Sequence, residues 1–234
     1  MFFGYGYYMD AGLVLVLIAG IFSMLASVRV NSTFKKFSSM HTGRNITGEQ
    51  AARRILDSNG LYDVRIERVR GELTDHYDPK ANVIRLSDSV HSSTSVAAVG
   101  VAAHEAGHAV QHATNYKPIQ LRNSIVPVAN IGSMAGPYLV ILGLLMSYGP
   151  LAYAGIAFFS LAVLFQLVTL PVEFNASRRA IATLSNGGYL ESDEVPAVKK
   201  VLGAAAMTYV AAAAVSIMQL LRLLMLVGSR RNDD

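Results

Sequence analysis

Two histidines four residues apart, with a glutamate directly after the first, form the group in this sequence best suited to chemistry: His104-Glu-Ala-Gly-His108. The surrounding run is helix-compatible, and on a helix positions i and i+4 point the same way, one turn apart. Both imidazoles then reach one Zn²⁺, and Glu105 faces the metal's open position, where it can take a proton from water. The bland alternative is a helix with two surface histidines. It fits poorly with Ala102-Ala103 before the motif and Ala106-Gly107 inside it, because polar groups on so apolar a helix need partners.

Two histidines do not complete a zinc site. His112 lies about 12 Å beyond His104 along the helix axis, whereas zinc holds its ligands at about 2 Å, so His112 reads as a helix-end or interfacial histidine. The metzincin pattern requires glycine at 111 and histidine at 114, where Gln111 and Thr114 stand. Glu173 is better placed. Residues 123–172 carry no charge and are broken at Tyr148-Gly-Pro150, so they read as two spans in a hairpin. Its ends return to one face and bring Glu173 back towards Arg122. A carboxylate at the end of a span is costly unless it is paired or coordinating. The alternative to coordination is an ion pair with Arg178 or Arg179.

The elements that must position these residues belong to a membrane protein. Of 234 residues, 52% are hydrophobic and 15% charged, against about 25% charged in soluble domains. There is no cysteine, so ligation falls to histidine and carboxylate and the redox compartment is unreadable. The net charge of +4 is scattered or flanks apolar runs, which argues for membrane orientation rather than nucleic acid. Residues 11–28 form a first span, preceded by a Tyr-rich stretch suited to an interface and followed by Arg29, Lys35 and Lys36. A cleaved signal peptide would want its positive charges before the apolar run. Residues 201–221, rich in alanine, form a fourth span suited to close helix packing. The positive-inside rule places the amino terminus outside and the site on the cytoplasmic face of the cell membrane, with Arg178 and Arg179 in agreement. Arg230 and Arg231 conflict with it unless the last segment is re-entrant or interfacial.

The chain therefore divides into a first span (1–30), a catalytic insert (31–122), a transmembrane hairpin (123–172), a polar segment with the third ligand (173–200), and a last span with its tail (201–234). The predicted fold class is a mainly α membrane protein with about four transmembrane helices and a small α+β zincin-like insert. Within the insert, Thr47-Gly-Glu-Gln50 reads as a capping box opening a helix that buries Ala51, Ala52, Ile55 and Leu56 and stops at Gly60. Val64 and Ile66 mark one strand, and residues 81–87 a second after the turn at Asp78-Pro79-Lys80. Residues 82–87 are the expected edge for main-chain pairing with an extended substrate, the alternative being an ordinary internal strand. Residues 92–95 offer N-caps for the motif helix, which should run to about Ala113.

His104-Glu-Ala-Gly-His108-Ala-Val-Gln111, together with Pro171-Val-Glu-Phe-Asn-Ala-Ser-Arg-Arg-Ala180, resembles the YugP-type bacterial membrane zinc metallopeptidases. The likeness covers nearly the whole chain. More distantly the chain is similar to the gluzincins that include HtpX-type quality-control proteases and CAAX prenyl proteases. In those relatives the third ligand is the Glu of an E-x-x-x-D pattern; Glu173 matches it, while Ser177 stands where their Asp would be. That departure bears on how a zinc histidine is oriented, and Asn175 or Arg178 could serve instead. The resemblance implies a zinc endopeptidase acting in membrane protein turnover or quality control, with His104, His108 and Glu173 on Zn²⁺ and Glu105 as general base. Its substrate would be a polypeptide, including membrane proteins, and its setting the lipid bilayer. An oligomer or a regulatory membrane partner is left open. His76, Tyr77, Arg178 and Arg179 are candidates for stabilising the oxyanion. Two rival readings are an intramembrane protease of the site-two type and a non-catalytic scaffold that keeps zinc for structure.

Overall fold

The structure is a computed structural model that describes residues 11–230; the Tyr-rich stretch 1–9 and Arg231 lie outside the described residues. In chain order the elements are α1 (Ala11–Ser38), α2 (Gly48–Ser58), β1 (Arg65–Val69), β2 (His76–Asp78), β3 (Val83–Ser87), α3 (Asp88–His91), α4 (Val96–Ala113), α5 (Lys117–Leu145), α6 (Gly149–Asn186) and α7 (Val195–Arg230). Four of them, α1, α5, α6 and α7, are long and apolar enough to cross a membrane. The protein is thus mainly α and membrane-type, with a small α+β insert between α1 and α5. Helix α5 stays helical through Pro127 and Pro137, although each proline removes one backbone donor.

The contacts group the chain into two units. One takes in Ala26–Asn123 and Val168–Tyr209; the other takes in Met1–Leu25, Ser124–Leu167 and Val210–Asp234. In the first unit the local signals act as their chemistry dictates. Thr47 accepts from the Gln50 backbone N–H at 3.2 Å while the Gln50 side chain accepts from the Thr47 N–H at 3.1 Å, a closed capping box. Helix α2 buries Ala51, Ala52, Ile55 and Leu56, and Gly60 takes the positive φ of +73° that ends the turn. These side chains pack with Ile84, Leu86, Val90, Val99 and Leu184 in one apolar core.

The sheet corrects one expectation. Its strand order is β1-β3-β2, with β1 parallel and β2 antiparallel to β3. The strand within 82–87 is therefore central, not an edge, and Val83, Ile84, Leu86 and Ser87 are buried. The near-continuous apolar run is the mark of a strand covered on both sides. The free edges are β1 and the three-residue β2, which is too short to show a period of its own.

In the second unit Val140, Ala152, Ile156, Phe159, Val163, Leu223 and Val227 form the core. Backbones approach closely there: a Cβ on Gly132 would collide with the Phe158 carbonyl oxygen, and one on Gly143 with the Ala152 backbone. Small residues at such crossings are what membrane helices use to gain van der Waals contact.

Candidate metal centre

Helix α4 begins at Ser95, whose hydroxyl accepts from the Ala98 N–H at 3.2 Å, and runs to Ala113 as its pattern predicts. Its first half is buried among apolar side chains, which fixes the helix and aims the motif at α6. The two helices come close because residue 107 is glycine: a Cβ there would lie 2.9 Å from the Ala176 carbonyl oxygen.

That approach brings three donor atoms together. The Nε2 atoms of His104 and His108 are 3.1 Å apart. Glu173 Oε2 lies 3.2 Å from the first and 3.5 Å from the second. Ligand atoms around a tetrahedral Zn²⁺ at about 2.0–2.2 Å are roughly 3.3–3.5 Å from one another, so the donor set fits that ion in both chemistry and spacing. Among the described residues the group of metal-capable side chains here is these three. Burial works against a charged His108, yet a hydrogen bond donated to Glu173 and the charges of Glu105 and Glu173 outweigh it and raise its pKa. The same field favours a cation between the rings.

The remaining ring nitrogens are held from behind. His104 Nδ1 is 3.1 Å from Ser177 Oγ, and His108 Nδ1 is 3.0 Å from Gln111 Oε1. The Gln111 amide donates to the Val172 carbonyl at 2.8 Å and to Asn175 Oδ1 at 2.9 Å. Arg179 Nε donates to the same Asn175 oxygen at 2.9 Å. With Nδ1 carrying the proton and donating outward, each Nε2 presents its lone pair to the centre. Ser177, the departure from the acidic pattern of distant gluzincins, thus stands on the ring of His104, while Asn175 reaches His108 only through Gln111.

Arg122 and Glu173, the charges bounding the long uncharged stretch, meet at 3.9 Å. Arg179 pairs with Asn175 instead, and Arg178 is exposed. His112 is exposed in the last turn of α4, its ring 6.1 Å from that of Tyr77.

Two cavities open beside the centre, and Asp75, Glu105, Glu173 and Tyr209 line both. The larger, of about 240 Å³, is otherwise walled mainly by apolar side chains, among them Val30, Leu73, Val101 and Leu202. The smaller, of about 150 Å³, has His76, Tyr77, Arg122 and Asn123 on its wall. Glu105 is 8% exposed. His76 is tied to the Thr74 carbonyl at 2.8 Å. The Tyr77 hydroxyl is turned to Asn82 at 3.4 Å.

Sequence reasoning misses three neighbours of the centre. Tyr209 lines both cavities together with Glu173, yet it sits in an alanine-rich run with no spacing relation to the motif. Asp75 accepts from the Ser87 N–H at 2.7 Å and from the Ser87 hydroxyl at 3.0 and 3.1 Å. Burial raises the Asp75 pKa, the Glu105 charge adds to the rise, and the Ser87 bonds oppose it. Gln111 alone had a usable signal, since position i+3 from His108 shares its helix face.

A family model described as "Putative neutral zinc metallopeptidase" matches residues 12–228. The "Putative membrane protease YugP" of Bacillus subtilis (strain 168) is 49% identical over 212 residues, which cover 91% of this chain and 94% of that protein. No solved structure matches the chain.

Proposed function

This chain belongs to the neutral zinc metallopeptidase family, and from that premise we propose that it is a membrane-embedded endopeptidase in which His104, His108 and Glu173 hold Zn²⁺ and Glu105 is the general base. The observation that carries this reading is the convergence of three donor atoms within 3.1–3.5 Å, beside a buried glutamate that lines both neighbouring cavities. When bound, the metal polarises the scissile carbonyl and makes water acidic enough to attack near neutral pH.

The chain's own residues supply the rest. Glu105 takes the proton of the attacking water and returns it to the leaving amine. Ser177 and Gln111 keep both imidazoles in the tautomer and orientation that ligation needs. Tyr209 and Arg122 stand against Glu173 with a hydroxyl and a guanidinium, the donors best placed to meet negative charge on the carbonyl oxygen. Arg122 Nε is buried and has no hydrogen-bond partner among the described residues. Strand β2 offers a free edge and lines the smaller cavity through His76 and Tyr77, so extended substrate pairs there rather than on β3.

Three protein ligands leave one position open, as catalysis requires and a structural zinc site does not. Helix α4 is not among the helices long and apolar enough to span, which favours a site at the membrane face over one at bilayer depth. The charges after α1 support a cytoplasmic orientation of that face, and membrane proteins are the expected polypeptide substrates. Removal of the third ligand tests the assignment: Glu173→Ala should purify without stoichiometric zinc and without peptidase activity, and a variant with normal zinc content would remove Glu173 from the ligand set.

A further inference from the structure

We propose that the start of α7 and the end of α1 form a site for the phosphate of an anionic phospholipid. A groove of about 530 Å³ is lined by Arg29 and Lys36 of α1 and by Lys199 and Lys200 of α7. Gly203, which has no side chain, and Ala204 leave room there for a headgroup. No acidic side chain lines it, and none of the four cations has an ion-pair partner among the described residues. All four are exposed.

Their place along the chain gives the second argument. Arg29 is the first charge after the apolar run 11–28, and Lys200 is the last charge before the apolar run 201–221. Each pair therefore sits where a spanning helix leaves the hydrocarbon, at the depth of lipid headgroups. Cations kept only to orient the chain need not meet. Here two pairs from opposite ends of the sequence converge on one concavity, the arrangement that holds an anionic headgroup between membrane helices. Lysine binds phosphate as a compact charge, and arginine adds directed donors.

The site has a consequence for the proposed reaction, and this part alone rests on the peptidase reading. Lys199, Lys200, Gly203, Ala204 and Met207 of α7 line the groove, while Leu202, Ala205, Ala206 and Tyr209 of the same helix line the larger cavity beside Glu105. A headgroup held in the groove steadies the helix that walls the cleft, so anionic lipid should raise cleavage.

The test uses full-length protein in detergent, titrated with phosphatidylglycerol or phosphatidylcholine, with bound lipid counted by native mass spectrometry. Phosphatidylglycerol should be retained and phosphatidylcholine not. Lys199→Gln with Lys200→Gln should weaken retention by about tenfold or more, given roughly fivefold per cation near an anionic surface. Lys199→Arg with Lys200→Arg should restore it, which separates lost charge from lost folding. Lys35→Gln with Lys80→Gln, outside the groove, should leave it nearly unchanged. Equal retention by the glutamine pair, or an equal loss in the control pair, overturns the site. Displacement of the lipid by millimolar inorganic phosphate would make the ligand free phosphate and overturn the lipid assignment. These readouts need no peptidase activity, so they stand or fall apart from the proposed function.

Discussion

The unit built from Ala26–Asn123 and Val168–Tyr209 and the unit built from Met1–Leu25, Ser124–Leu167 and Val210–Asp234 bury different kinds of side chain. Among the described residues, every buried polar or charged one falls in the former: Thr42, Ser87, Ser95, Glu105, His108, Gln111, Thr169, Glu173, Ser177 and Glu194. The core of the latter is wholly apolar, and glycines there let one backbone lie on another. Burying a polar group unpaired costs roughly 1–3 kcal/mol by protein mutational data. One unit can carry Glu105, His108, Gln111 and Glu173 inside only because nearly every such group has a partner. The other gains stability from fit alone. Substitutions in the two should therefore fail in different ways, one losing chemistry and the other losing the fold.

Gly132→Val should show the largest effect on folding. Its side chain would meet the Phe158 carbonyl oxygen, and overpacking of this kind costs typically about 1–3 kcal/mol and occasionally more. Thermal unfolding in detergent should fall clearly, while zinc bound per folded molecule stays at the wild-type level. A variant that folds normally but loses zinc would break the contrast between the units.

Gln111→Leu probes the other side of it. The change is close in volume, but it strips His108 Nδ1 of its partner and leaves Asn175 Oδ1 with Arg179 alone. Loss of such an outer partner weakens metal binding by about 10–100-fold. Competition with a chelator measures this directly, and unchanged zinc affinity would show that the ring needs no support from behind.

The smallest effect should come from Asp75→Asn, and it is a matter of pH. The Asp75 pKa is raised in the folded protein, so the native state binds this proton more tightly than the unfolded chain does. Stability from this group is then fully present below the unfolded value of 3.8 and falls as pH rises towards the folded pKa. The asparagine variant lacks that loss. Relative to wild type it should gain stability between acidic and neutral pH, as unfolding measured at both would show; a difference independent of pH would contradict the cause assigned.

Much of this contrast is legible in the sequence, because its signals are local. The capping box at Thr47, the end of α4 at Ala113 and the four apolar helices depend on residues within a few turns of one another. What could not be read depends on distant pairing. Whether residues 82–87 were edge or centre was decided by β2, three residues with no period. Tyr209 meets Glu173 only once α7 packs beside α6. Ser177 looked like a defect in an acidic pattern, yet a hydroxyl oxygen accepts an imidazole N–H as a carboxylate does. Gln111 breaks the metzincin pattern, yet it stands one turn from His108 on the same helix face.

In the proposed reaction Glu105 does the proton chemistry at a centre whose single zinc ion is held by other residues. Glu105→Gln keeps the size and burial of the side chain and removes its basicity, so zinc content and cleavage of an unfolded protein substrate should be measured together on wild type and variant. The account predicts stoichiometric zinc in both, with cleavage lower in the variant by about 10²–10⁴-fold. Full activity in the glutamine variant at normal zinc content would contradict it.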